Sequence, residues 1–313
     1  MTLPLTTSIE SALVKIAAGE VESALEELRT ALLSADPREA IAAITQFLAT
    51  GRDAVTGQDF TPGEGELEAA PTLRVFLMDL LGRLSKQTQT ADGAKIGRAV
   101  LETRNSPDEW AISLRNVAWQ EPKATSYLAN KFRELIDYGP WRQSPTGGML
   151  EAFDVAVFTR DVRLVPDLTN LLTSGEEDLE RAAAVALDRL SETAPLEVMN
   201  QLNANPGMLA DLPLIRADHF SKANLANPQQ RQAVEYYLAR ADVTLQEKSK
   251  FLKVVATPAS FISENLLTES APPDDDPARR RGLATATADW IKSGRFPEIQ
   301  LQIAELNTKL NRP

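Results

Sequence analysis

The chain has 313 residues, with 44 acidic and 33 basic side chains, one histidine, no cysteine and a net charge of −11. An apolar content of 43% with 25% charged residues is that of a globular chain and excludes one too polar to build a core. Without cysteine there is no disulfide framework, thiolate zinc site or iron–sulfur cluster, and a single histidine excludes a multi-histidine metal centre.

The acid excess opposes nucleic acid and anionic membranes, because phosphate recognition relies on Lys and Arg releasing counterions. No stretch approaches the ~18 consecutive apolar residues that would cross a bilayer. The opening Met1-Thr2-Leu3-Pro4-Leu5 lacks the basic and apolar regions of a signal peptide. A cytoplasmic protein, or one whose signal has been removed, are the two readings of localisation.

The first 50 residues read as helical hairpins. Ile9, Leu13 and Ile16 share one stripe, Val21, Leu25, Leu28 and Leu32 another, and Ile41, Ile44 and Leu48 a third. Asp36 before Pro37 is an N-cap followed by a first-turn proline. Residues 51–70 then form a long loop holding Asp53, Asp59, Glu64, Glu66 and Glu68. Those acids lack the spacing of an EF-hand, so a solvated connector with a small hairpin around Phe60–Leu67 is expected and no metal site.

Pro71 starts a helix with Leu73, Phe76, Leu77, Leu80, Leu81 and Leu84 on a broad apolar face. From Asp92 onward the helix starts become regular, near Asp92, Pro107, Pro122, Pro145, Val162, Glu176, Pro195 and Asn227. Alternate starts are roughly 30 to 40 residues apart, the period of a helix–turn–helix array. Gln229–Arg240 and Thr244–Val255 read as an antiparallel pair.

After the Pro- and Asp-rich linker 269–277, residues 278–313 read as capping helices, with Asp276 as N-cap before Pro277. Ile299, Ile303, Leu306 and Leu310 form the last stripe; it serves as a cap or, alternatively, as the seam of a homodimer.

One unit is clearer than the rest. Leu168, Leu171 and Leu172 line a short helix, a turn follows at Thr173–Asp178, and Leu179, Ala183, Ala186 and Leu190 line a second helix. Residues 165–190 thereby resemble a HEAT-type repeat of the Ala-rich HEAT-like variety. The units on either side match by period alone. The resemblance implies an all-α fold, an α-solenoid of antiparallel hairpins over 71–268, and a role in protein binding; it carries over no catalytic residues. An irregular multi-helix bundle is the alternative architecture.

No nucleophile elbow, phosphate-binding loop, zinc-protease motif or dinucleotide fingerprint is present. His219 and Asp218 are adjacent, which points them apart on a helix, so His219 is expected to be a partly exposed structural residue.

Trp110, Trp119, Trp141 and Tyr138 cluster in a chain otherwise poor in aromatics, with Arg115, Arg133 and Arg142 among them. The bland account is a bulky core. The functional account is a concave patch that anchors a partner, since Trp, Tyr and Arg dominate binding hot spots. The function expected is therefore a non-enzymatic scaffold that binds another protein and needs no cofactor. The alternatives are a helical enzyme of the HEAT-like DNA glycosylase kind and an architectural homo-oligomer subunit.

Overall fold

A computed structural model describes residues 4–63, 65–257, 265–268 and 277–311. Among them the fold is all-α apart from one small hairpin. The chain separates into two compact units, one of residues 1–159 with 263–269, the other of residues 160–262 with 270–313.

The first unit begins with α1 (Leu5–Ala17), α2 (Val21–Ser34) and α3 (Pro37–Leu48). Most of the stripes expected from spacing are buried, with Ile9, Ile16, Leu25, Leu28, Leu32, Ile41, Ile44 and Leu48 facing inward and Leu13 and Val21 half-buried. Asp36 caps α3, its carboxylate accepting from the amides of Arg38 at 2.9 Å and Glu39 at 3.3 Å.

The segment 51–70 does hold a hairpin, of strands β1 (Thr61–Pro62) and β2 (Leu67–Ala69). Much of it is exposed, but it is also anchored to the core. Phe60, Leu67 and Ala70 are buried, the Thr56 hydroxyl donates to the Ala70 carbonyl, and Glu66 pairs with Arg83 at 2.6 Å. Turn residues dominate its composition, and the few apolar side chains that pin it down are too sparse to form a periodic signal.

Next come α4 (Leu73–Thr88), α5 (Asp92–Val100), α6 (Pro107–Gln120) and α7 (Thr125–Asp137), then the short α8 (Gly139–Arg142), α9 (Gly147–Glu151) and α10 (Asp154–Thr159). α6 lies at the middle of this unit and touches α4, α5, α7, α9 and α10. Its residues from Asp108 to Ala118 are all buried. Glycines let the neighbours approach. A Cβ on Gly82 of α4 would lie 1.9 Å from Asn116 Oδ1, and one on Gly97 of α5 would lie 3.0 Å from the Ser113 carbonyl.

The division at residue 159/160 falls inside the span 71–268 expected as one run of repeats, and it follows local chemistry. Gly139-Pro140 and Gly147-Gly148 break the chain into short helices, and Arg160 has a positive φ of 50°.

The second unit opens with a 3-10 turn (Val162–Leu164), α11 (Val165–Leu171) and α12 (Glu177–Thr193). The two helices of the clear unit pack together, and Leu168, Leu179, Ala183, Ala186 and Leu190 are all buried. Then follow α13 (Pro195–Ala204), α14 (Pro213–Ser221), α15 (Pro228–Ala239) and α16 (Leu245–Val254).

The pair expected to face each other, α15 and α16, each finds its main neighbour elsewhere: α15 lies on α13, and α16 lies on α14. Asn227 caps α15 through the amides of Gln229 and Gln230. α14 was hidden from periodicity because Arg216 and His219 occupy its buried face.

α17 (Pro277–Ser293), a 3-10 turn (Pro297–Ile299) and α18 (Gln300–Leu310) complete the unit. The cap expected at Asp276 lies outside the described residues. Ile299, Ile303 and Leu306 are buried against α16 and α17 within this chain. Those three side chains are packed within the unit and leave little surface for a homodimer seam; Leu310 is half-buried.

Candidate interaction site

The aromatic cluster comes together, but mostly inside the first unit. Trp110 is 1% exposed and Trp141 8%. Their rings meet edge to face at 5.4 Å, and Tyr138 meets Trp141 at 4.9 Å. The Trp110 indole N–H donates to the Thr103 carbonyl at 2.6 Å.

The arginines expected beside them are consumed in the same way. Arg115 is buried and pairs with the buried Asp79 carboxylate, donates to Asn116 Oδ1 at 2.9 Å, and lies 4.2 Å from the Trp119 ring. Burial pulls its guanidinium below the ordinary arginine range, opposed by the Asp79 charge. Lys86 sits 4.3 Å over the half-buried Trp119, and Arg104 5.0 Å over the half-buried Tyr138. Arg133 and Arg142 are half-buried on α7 and α8.

As an exposed anchoring surface the patch loses Trp110 and Arg115 outright. Rings and cations that resemble a hot spot in sequence pair with one another, because a core holding ionised groups must satisfy them internally.

His219 also departs from expectation, since it is 3% exposed. Its Nδ1 lies 3.0 Å from Ser191 Oγ, which itself donates to the Leu187 carbonyl at 2.7 Å. That arrangement makes Nδ1 the protonated nitrogen, and Nε2 is buried without a partner among the described residues. Burial drives its pKa from 6.5 down to about 4. Asp218 pairs with Lys250 at 3.1 Å instead, so no histidine–carboxylate pair exists here.

The second unit holds a concave surface that sequence reasoning did not single out. A cleft of about 530 Å³ opens between the end of α16, the first turns of α17 and the last turns of α18. Leu252, Val255, Leu283 and Leu306 form its floor; these are core residues whose inner sides hold the three helices together. Among the described residues Lys253, Arg279, Arg280 and Lys309 stand around it with one acid, Glu305.

The helices fix these cations. Lys253 and Lys309 belong to the last turns of α16 and α18, where a cation complements the helix dipole. Arg279 donates to the Ser221 carbonyl at 3.0 Å and Arg280 to the Leu310 carbonyl at 3.2 Å. Charge therefore surrounds an apolar floor from three separate elements.

The signal available in sequence was Arg279-Arg280-Arg281 and the two lysines, but the elements carrying them are up to 56 residues apart. Only their packing brings them to one opening.

A second, uncharged groove of about 480 Å³ runs between α13 and α15, lined by Asn200, Asn203, Gln229, Gln232 and the exposed Tyr236. Among the described residues no cluster of acids and histidine suits a metal ion, and no helix is long and apolar enough to cross a membrane.

No family model, curated protein or solved structure matches this chain.

Proposed function

We propose that this protein is a non-enzymatic interaction scaffold, built in its second unit from stacked helical hairpins of the HEAT-like kind, which takes a segment of a partner protein in the cleft between α16, α17 and α18. The observation that carries this reading is the cleft itself, an opening of about 530 Å³ among three helices with the exposed Lys253 and Lys309 at its edge, in a chain whose net charge is −11. A cationic rim within an acidic molecule orients an incoming acidic surface toward one place and repels it elsewhere.

The stacking of α15 on α13 and of α16 on α14 is that of like helices in successive repeats, while α15 and α16 do not pack on each other as the two arms of one hairpin.

The partner site moves accordingly, from the Trp110–Arg142 region, whose largest rings are core, to the cleft. The test is capture of a partner by the immobilised protein from extracts of its source cells. A Lys253→Glu/Lys309→Glu variant should lose the captured protein, while Tyr236→Ala in the uncharged groove should retain it. Equal capture by all three proteins overturns the reading.

A further inference from the structure

We infer that residues 265–268 are a latch: a ligand held in cis on a peptide-recognition site of the first unit, where the carboxylates of Glu151 and Asp154 read a Leu-x-Thr segment.

Residues 263–269 belong to the first unit although the rest of that unit ends at residue 159. The backbone bends at Leu266 and Leu267, so its N–H groups enter no helix or strand ladder and need acceptors elsewhere. The Leu266 N–H donates to Glu151 Oε1 at 2.7 Å, and the Thr268 N–H donates to Asp154 Oδ2 at 2.8 Å. The Thr268 hydroxyl donates to the other oxygen of the Asp154 carboxylate at 2.7 Å. Leu266 itself is 3% exposed.

Two features give this contact the character of recognition. The first is register. N–H groups two residues apart meet carboxylates at the last residue of α9 and the first of α10, with the leucine buried at the same place. A slip of one residue would bring Leu267 and Glu269 to these positions and lose the hydroxyl.

The second is the state of Asp154, which is 2% exposed. A carboxylate buried to that degree needs donors. Thr268 supplies two from one residue, which takes a hydroxyl on Cβ and so selects Ser or Thr. Hydrogen bonds to an ionised acceptor are also stronger than those between neutral groups.

Four residues make a small ligand, and tethering explains why the site stays filled. Linked groups meet at an effective concentration on the order of millimolar. An added peptide of the same sequence is therefore kept out until the resident segment is spoiled, after which a Leu-x-Ser or Leu-x-Thr segment from another molecule takes the site. None of this depends on the α16–α18 cleft.

The experiment uses the full chain, a Leu266→Ser/Thr268→Val variant that loses the buried leucine and the hydroxyl, and a Thr268→Ser variant that keeps the hydroxyl. Hydrogen exchange at residues 265–268 should quicken by at least about tenfold in the double variant and stay unchanged in Thr268→Ser. A fluorescein-labelled peptide of residues 263–269, read by anisotropy, should bind the double variant at least about tenfold more tightly than the original protein. The same peptide carrying Thr268→Val should bind the double variant about tenfold more weakly. If circular dichroism shows the double variant unfolded, adding the peptide should restore its helical signal.

Unchanged exchange in the double variant overturns the latch. Equal binding of the peptide to both proteins, equal binding of the Thr and Val peptides, or failure of the peptide either to bind or to restore the double variant overturns the recognition site. Exchange as fast in Thr268→Ser as in the double variant overturns the part assigned to the hydroxyl.

Discussion

Arg115 illustrates how a residue with the right type for a binding hot spot serves the core instead. Its charge is neutralised by Asp79, its remaining donors meet Asn116 and a carbonyl, and its plane lies near Trp119. Removing one member of a buried pair strands the other, which costs roughly 3–5 kcal/mol. Asp79→Ala should therefore lower Tm sharply in differential scanning calorimetry, by far more than a surface substitution such as Glu22→Ala. A cost indistinguishable from that control would show that the pair is not buried. His219 offers a second test at this scale. The folded imidazole titrates near 4, below its ordinary 6.5, so the unfolded chain binds the extra proton across that interval. Stability then falls as pH drops from about 6.5 to about 4, by roughly 3 kcal/mol for a shift of this size. His219→Gln should flatten that part of the stability–pH curve measured by urea unfolding, with the remaining slope due to carboxylates. Neither behaviour was legible in the sequence. Apolar periodicity identifies which face is buried when that face is apolar, and it is silent about charged groups that are buried in pairs.

Among elements, buried polar links set the packing of α14, α15 and α16. Arg216 on α14 donates twice to Glu247 on α16, at 2.6 and 2.9 Å, and the Tyr237 hydroxyl of α15 donates to the same carboxylate at 2.9 Å. Tyr237 also stacks on Phe220 with ring centroids 3.8 Å apart. Glu247→Ala strips the buried Arg216 of its close partner and leaves it Asp242 at 3.8 Å, so it should cost roughly 3 kcal/mol, with loss of hydrogen-exchange protection centred on α14 and α16. Protection lost in α15 alone would contradict this account. The amphipathic helices α1 to α4 were legible almost to their ends, since each has an apolar stripe and α3 also has its Asp36 cap. α14 was not, and α8 to α10 were blurred together, because Gly and Pro interrupt them before a second turn can repeat the pattern. The neighbours of a helix were harder still. A short loop predicted that α15 and α16 face each other, whereas the stacking of α15 on α13 and of α16 on α14 depends on shapes that a linear pattern does not encode.

For the molecule as a whole, the net charge of −11 sets which partners approach, and the placement of the basic residues sets where. Among the described residues many cations pair with acids within the chain, and the exposed Lys253 and Lys309 stand at the edge of the α16–α18 cleft. Long-range repulsion should keep duplex DNA from binding even at low salt; tight binding in an electrophoretic shift assay would instead favour the nucleic-acid alternative. The all-α class could be read from the sequence because Leu and Ala recur at helical spacing. The cleft could not, since its cations lie on α16, α17 and α18 and meet only after the unit has folded. The central claim is that this opening is where a partner segment sits. Hydrogen exchange of the full protein with and without the partner it captures tests it directly. Protection is expected to rise in residues 252–257, 279–283 and 302–310 and to stay constant around Tyr138 and Trp141. Protection appearing at Tyr138 and Trp141, or in the groove of α13 and α15, with none at the cleft, would contradict it.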